Sequence, residues 1–308
     1  MNSNVNKRKL EFFGIISEGI KIFFSKTKEF SLIGLITIIP ISLLLISESL
    51  GLQPIPFTPD GFTAQDIKTL VPKILLLIFV FALQAFITLI ASMSIAIITE
   101  AVVENKPVLL IEVIKLSVSK WGRAFVAGLL AYVITYALSL LFIIPGIIYS
   151  VYYIFFLYTV TLRDKDGMEA LNYSKTLVQG QWWRVFWILI GFGVIFAIAN
   201  GIVSYLISQM PNNSYLNIIP TAFTLFSTTI FGIINVVLFL NNDFVYHRNS
   251  TKRKENEKRE EYAPTIEEYL EAKKKKKAST SKRSTVKKIK PKTEKSKTVV
   301  KRNTRKQE

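Results

Sequence analysis

Few side chains in this 308-residue chain have the types and spacing that catalysis or metal binding requires. Asp164 and Asp166 are two residues apart, and such carboxylates could bind a divalent cation. We favour a structural role, because Asp166 and Glu169 have the D-x-x-E spacing of a helix-capping box. The chain has no cysteine, one histidine (His247), and no P-loop, H-E-x-x-H or G-x-S-x-G motif. We therefore expect no catalytic residue, no metal site, no cofactor and no enzymatic activity.

Three uncharged polar side chains lie well inside long apolar segments, at Gln84, Asn200 and Asn235. In membrane helices such groups usually hydrogen-bond a neighbouring helix, contributing about 0.6–2 kcal/mol each. The alternative is that they line a path for a small solute or a lipid. No charged side chain or histidine lies near the middle of these segments, which argues against a proton-coupled pump or a voltage sensor.

Tryptophan is concentrated near the ends of the apolar segments, at Trp121, Trp182, Trp183 and Trp187. The amphipathic indole ring is enriched at membrane–water interfaces, so we predict that these four residues anchor their helices at that level. Binding of a ligand by these rings is the alternative.

The elements that carry these residues are long and uncharged. Stretches of 58 and 39 residues, which follow Arg184 and Arg123, contain no charged side chain. At about 1.5 Å per residue, 39 helical residues span roughly 58 Å, close to twice a hydrocarbon core of about 30 Å. We predict an all-α, polytopic membrane protein, with Pro145 and Gly146 turning the chain between two spans. The six predicted spans are residues 30–50, 74–99, 124–144, 147–162, 185–208 and 218–240.

Three amphipathic segments, at residues 10–28, 108–120 and 168–179, precede helical hairpins. Each has apolar residues on one face of a helical period and a short polar stripe on the other, which begins with Glu18 in the first segment. We predict three interfacial helices whose apolar faces point toward the acyl chains. The stripes align without gaps, which favours a triplicated module of one interfacial helix and one hairpin. Independent helices with similar spacing are the alternative. The predicted modules cover about residues 10–100, 107–162 and 167–240.

The third module carries the most distinctive motif. Its residues are Pro145, Gly146, Glu169, Ala170, Leu171, Ser174, Gly180 and Trp182. They form, in order, a Pro-Gly turn, a span, an acidic turn, an E-A-L-x-x-S helix and a Gly-x-Trp approach to the next span. This order resembles the membrane domain fused to glycerophosphodiester phosphodiesterases and the related YciC- and DUF975-like integral membrane family. The resemblance implies a helical membrane domain of poorly defined activity. It implies no phosphodiesterase domain, because the remaining Lys-rich tail is too short and polar for a catalytic barrel.

Net charge divides the chain into two regions. Residues 248–308 hold 23 of the 39 Lys and Arg with nine acidic side chains, and so carry most of the net charge of +17. We predict a six-helix membrane domain at 1–247 and a basic, largely disordered tail at 248–308.

The basic residues near the predicted spans are unequally distributed between the two sides of the membrane. Only Lys68 and Lys73 flank one side of the predicted spans, while many basic residues flank the other. The positive-inside rule therefore predicts a multi-pass cell-membrane protein with cytoplasmic N- and C-termini.

The expected partners are membrane lipids and, for the tail, polyanions. Each Lys or Arg near an anionic leaflet gains about 1 kcal/mol, so anionic headgroups are the first expectation. RNA, including the ribosome, is the rival, and a solvated tail that binds nothing is the simplest alternative. We expect a non-enzymatic membrane scaffold or lipid-interacting component. The alternatives are a small-solute or lipid transporter and a membrane-insertion or ribosome-docking factor. The sequence does not indicate whether the chain forms a homo-oligomer.

Overall fold

The computed structural model describes residues 5–38, 64–210, 218–261, 268–271 and 273–277. Every regular element in these ranges is a helix, which confirms the predicted all-α class. The chain divides into two units, Met1–Asn249 and Ser250–Glu308. The helices are α1 (Phe12–Ser25), α2 (Thr27–Ile36), α3 (Ala64–Val103), α4 (Leu110–Leu141), α5 (Ile143–Tyr152), α6 (Phe156–Arg163), α7 (Gly167–Val178), α8 (Trp182–Ser208) and α9 (Ile218–Glu261).

Within the described ranges, five helical segments are long and apolar enough to cross a membrane, as expected of a membrane protein. They are Ile74–Val103, Leu110–Leu141, Ile143–Arg163, Trp182–Ser208 and Ile219–Arg259. These segments correspond to the second to sixth predicted spans. The first predicted span, 30–50, begins within α2, but its residues 39–50 lie outside the described part of the chain.

The hairpin of α4, α5 and α6 differs from the prediction in two places. Residues 110–120 are continuous with the following span rather than a separate interfacial helix, because no proline interrupts α4. The chain then leaves the helix at Phe142, whose backbone is extended (φ −154°, ψ 136°), and not at the predicted Pro-Gly turn. Pro145 and Gly146 lie in the first turn of α5, where a missing N–H leaves no helical hydrogen bond unmade.

Helix α9 is the central element of the bundle. All of its residues from 233 to 243 are buried, which is expected only when a helix is surrounded on every side. Helix α1 approaches it at Gly19, where an added Cβ would lie 2.6 Å from Cγ1 of Ile234. From α6, the ring of Tyr158 contacts the ring of Phe239 at a centroid distance of 5.7 Å. The core is therefore assembled around the last span.

Helix α1 packs differently from the predicted interfacial helix. Its buried face contains Ile15, Gly19 and Ile22, together with Glu18, which is only 3% exposed although its stripe was predicted to face water. Phe13, from the predicted apolar face, is exposed, as a side chain that points toward acyl chains would be. Contact with α9 turns the helix, because the small Gly19 permits a close approach that a larger residue would prevent.

Candidate functional site: a polar hub at one end of the bundle

Three consecutive polar residues end the apolar part of α9, at Asn241, Asn242 and Asp243, and all three are buried. Successive residues of a helix point about 100° apart, so the three side chains reach three different neighbours. Because α9 is enclosed on every side at this level, each side chain meets protein rather than solvent. We call this assembly the polar hub. Its residues are Glu100, Arg163, Tyr173, Arg184, Asn241, Asn242 and Asp243.

The first contact of the hub is an ion-pair network at the end of α6. Arg163 donates from Nη2 and Nε to Oδ2 of Asp243 at 2.7 and 3.0 Å, and from Nη1 to Oε1 of Glu100 at 2.6 Å. Tyr173 on α7 donates its hydroxyl to Asp243 and lies 3.1 Å from Nε2 of His247. One guanidinium thus joins α3, α6 and α9. Such charge-assisted, multidentate contacts are among the stronger hydrogen bonds in proteins.

The second contact holds the segment that precedes α1. Asn241 accepts the N–H of Leu10 at 2.9 Å and donates its amide to the carbonyls of Val5 and Arg8, at 2.9 and 2.7 Å. One buried side chain therefore satisfies three main-chain groups of an irregular segment, which would otherwise be costly to bury. The start of the described chain is tied to the end of its last span.

The third contact is made by Arg184, at the start of α8. Its guanidinium donates to Oδ1 of Asn242 and to the carbonyl of Leu10, both at 2.6 Å. It also reaches Oε1 of Gln181 at 3.1 Å and Oδ1 of Asn241 at 3.3 Å. All four acceptors are neutral oxygens, so these contacts do not neutralise the positive charge of Arg184.

A second charged cluster lies at the corner between α4 and the turn after α6. Lys120 donates to the carbonyl of Thr161 at 2.8 Å and pairs with Asp164 at 2.7 Å. Arg123 pairs with Asp164 and with Asp166. The hydrogen bond from Lys120 is the main reason why the pKa of the Asp164 carboxyl lies below its usual range. These carboxylates serve as partners for basic side chains.

The predicted capping box does not form. Asp166 occupies the N-cap position of α7 in extended geometry, but its side chain makes no capping hydrogen bond. It pairs with Arg123, and Glu169 pairs with Lys165. Within the described ranges, no three His, Asp or Glu side chains converge as a metal site.

The motif residues surround a break in the helix that runs from 143 to 163. Between α5 and α6, the hydroxyl of Ser174 donates to the carbonyl of Tyr152 at 2.7 Å and accepts the N–H of Phe155 at 3.1 Å. The indole N–H of Trp182 donates to the carbonyl of Ile148 at 3.1 Å. Ala170, Leu171 and Ser174 are fully buried. The motif therefore serves the packing of a discontinuous helix, because it supplies partners for main-chain groups that the break leaves open.

Glycine has a defined role at two motif positions. An added Cβ on Gly146 would lie 3.0 Å from Cα of Ser139, so α4 and α5 can approach closely only with glycine there. Gly180 has φ +83°, a left-handed conformation that links α7 to α8.

The three predicted intramembrane polar residues are not brought together. Asn200 on α8 accepts the hydroxyl of Thr224 on α9 at 3.0 Å, which is the predicted contact between helices. Gln84 donates to Thr88 at 3.0 Å, and Asn235 to the carbonyl of Phe231 at 2.9 Å, each within its own helix. None of the three lines the cavities described here.

The predicted tryptophan anchors differ in exposure. Trp121, Trp183 and Trp187 are exposed, as interfacial rings would be. Trp182 is half-buried and stacks on Phe186 at a centroid distance of 4.9 Å.

An apolar cavity of about 560 Å³ lies between α3 and α4. Its walls include Phe86, Trp121, Gly128, Tyr132 and Phe156. The volume falls in the range of small-ligand pockets, but the lining offers few polar groups. Such a cavity suits a hydrocarbon chain.

The polar hub was not predicted from the sequence, although one signal was present. The apolar run of the last span ends in three adjacent polar residues, Asn241–Asn242–Asp243, with no intervening turn residue. Apart from His247, four residues after Asp243, the partners of their side chains lie 57 to 236 positions away along the chain, so only the fold identifies them.

No family model, no curated protein and no solved structure matches this chain. The resemblance to the phosphodiesterase-linked membrane family therefore stays a prediction.

Proposed function

We propose that the chain is a non-enzymatic integral membrane protein that acts as a membrane scaffold or lipid-interacting component. It crosses the cell membrane six times, with residues 30–50 as the first span. The amphipathic segments at 10–28, 108–120 and 168–179 lie toward the inner interface. The observation that carries the proposal is the apolar cavity between α3 and α4, two helices with many exposed apolar side chains. Hydrocarbon is the natural solvent of such a surface.

The packing supports lipid contact over solute transport. A solute path would need polar groups lining a shared cavity, yet Gln84, Asn200 and Asn235 bond within or between helices. The polar hub satisfies most of its donors with protein groups at the end of the bundle. We therefore assign the hub to assembly and the apolar cavity to lipid contact.

The proposal is tested by purifying the chain with native lipids and measuring the retained lipids by native mass spectrometry. Ala85 lines the cavity, so Ala85→Phe fills it and should reduce the number of lipids that survive delipidation. Ala197→Phe places the same ring on the exposed face of α8 and is the matched control. Equal lipid retention by both variants would contradict a lipid role for this cavity. Release of the protein from membranes by alkaline carbonate would contradict the membrane assignment itself.

The orientation is proposed from charge alone. Basic residues are concentrated at the hub end of the spans, including Lys106, Lys115 and Lys120, which supports a cytoplasmic location for that end and for both termini. Reporter fusions at the two termini should both indicate a cytoplasmic location. A reporter that indicates an external location at either terminus would contradict the proposal.

The tail beyond residue 248 is proposed to bind anionic lipid. Its dense Lys and Arg gain electrostatic energy near an acidic leaflet. Deletion of residues 278–308 should weaken binding to phosphatidylserine vesicles. If the deletion instead reduces only ribosome co-sedimentation, RNA is the partner.

A further inference from the structure

A second cavity, of about 270 Å³, lies beside the polar hub. Its walls come from Lys9, from the turn between α7 and α8, and from one face of α9. Hydrogen-bonding side chains in the walls include Thr176, Gln179, Gln181 and Asn249. None of the described residues that line it is acidic. The cavity therefore presents donors and one ammonium group without a carboxylate.

One cation in the wall of this cavity and one behind the wall have no acidic partner among the described ion pairs. Lys9 lines the cavity, and Arg184 contacts Gln181 in its wall and the carbonyl of Leu10, the residue after Lys9. The pKa of Lys9 lies below its usual range, because partial burial and the charge of Arg184 both disfavour the protonated amine. Two neighbouring positive charges without a counter-charge repel each other, and a bound anion would relieve that repulsion.

A buried donor without a partner lies on the face of α9 that borders the same cavity. Nδ2 of Asn242 is buried and makes no hydrogen bond within the described part of the chain, while its Oδ1 accepts from Arg184. Asn242 precedes Val245, Tyr246 and Asn249 by three, four and seven positions, so all four lie on one face of α9. The last three line the cavity. An unsatisfied buried amide on that face is a donor in need of an acceptor.

We propose that this cavity binds a phosphate-bearing anion at Lys9 and the polar side chains of its walls, favoured by the charge of Arg184 behind Gln181 and by the unpaired amide of Asn242 on the adjoining face of α9. The phosphate belongs either to a lipid headgroup or to a small soluble anion. The exposed ring of Trp183, next to Arg184, places the site near the level where headgroups lie. This inference is independent of the lipid role proposed for the cavity between α3 and α4.

The test uses the full chain in a nonionic detergent and in lipid nanodiscs. Inorganic phosphate is titrated into the detergent-solubilised protein by isothermal titration calorimetry. Thermal unfolding is compared between nanodiscs of phosphatidylcholine alone and nanodiscs that also contain phosphatidic acid. Binding in the titration identifies a soluble anion, whereas stabilisation by phosphatidic acid alone identifies a headgroup.

Two variants make the test specific. Lys9→Gln removes the ammonium from the cavity and should weaken phosphate binding by about tenfold or more. A loss of this size is typical when a charge-assisted hydrogen bond is removed. Arg8→Gln removes the same charge from the adjacent residue, which is also exposed but does not line the cavity, and should leave binding unchanged. The proposal is overturned if neither phosphate nor phosphatidic acid binds, or if the two variants weaken binding equally.

Discussion

The two halves of α3 belong to one helix but to different environments. Of the side chains described from 71 to 90, only Val80 is buried, whereas none from 91 to 103 is exposed. Helix α9 shows the same change: from 219 to 232 only Ser227 and Thr229 are buried, and from 233 to 243 every residue is. Both buried halves lie at the end that contains the polar hub.

This difference separates two sources of structure in one membrane protein. In the exposed halves, helical hydrogen bonds and contact with hydrocarbon are enough to stabilise the helix, so many different apolar sequences could form it. In the buried halves, side chains must fit one another, since lipid supplies no hydrophobic force between helices and packing and polar contacts must hold them. Mutations should therefore be costly at the hub end and mild at the other.

The largest expected effect is at Asp243. Its side chain is 7% exposed and binds Arg163 and Tyr173. Asp243→Ala leaves part of a buried charge network without its partner, so we expect the free energy of unfolding to fall by about 3–5 kcal/mol. The measurement is titration of the detergent-solubilised protein with sodium dodecyl sulfate, followed by circular dichroism.

Glu257→Ala is the control for this variant. It breaks an ion pair with Arg253 whose side chains are 61% and 83% exposed, and should change stability by about 0.5 kcal/mol or less. Comparable losses in the two variants would remove the distinction between hub and surface.

The next effect is expected at Ser174, which bridges the break between α5 and α6. Ser174→Ala leaves the N–H of Phe155 and the carbonyl of Tyr152 without this partner, and should cost about 1–3 kcal/mol. Ser150→Ala removes a hydroxyl that bonds only within α5 in an exposed position, and should be nearly neutral. The same titration compares them, and an equally mild Ser174→Ala would mean that the break needs no bridge.

A pair of glycine variants sharpens the comparison of packed and lipid-facing surfaces. Gly146→Ala forces a methyl group to 2.8 Å from Cβ of Ser139, and should destabilise the protein by about 1–3 kcal/mol. Gly193→Ala meets nothing within 4 Å and should stabilise α8 by about 0.5–1 kcal/mol. Changes of the same sign would contradict the assignment of these two surfaces.

The smallest effect concerns pH at the corner cluster. Since the folded state lowers the pKa of Asp164, its ion pair stabilises the protein above the ordinary aspartate value of about 4 and is lost as pH falls through the lowered value. Asp164→Asn should therefore be less stable than wild type at neutral pH and equal to it in acid. The side chain is 65% exposed, so added salt should shrink the difference. A difference that persists in acid would assign the effect to packing.

The spans were predictable because their signal is local. Long uncharged runs identified five segments within the described ranges, and the all-α class follows from the same runs. The end of α4 was misplaced because Pro145 and Gly146 are usual turn residues, yet the extended residue is Phe142, which has no turn signature. The burial of Glu18 was missed because helical periodicity shows two faces but not which neighbour each will meet.

Hydrophobicity along the chain determined that this protein is helical and suited to a membrane. In hydrocarbon, each apolar segment must form its own internal backbone hydrogen bonds, so each segment becomes a helix independently of the others. The tertiary structure alone decided which polar residues matter. Asn241, Asn242 and Asp243 acquire their roles from Leu10, Arg184 and Arg163, which the chain brings to the end of α9 from distant positions. A polar side chain at the end of a span costs little near water, so its type says nothing about its partner until the helices around it are packed.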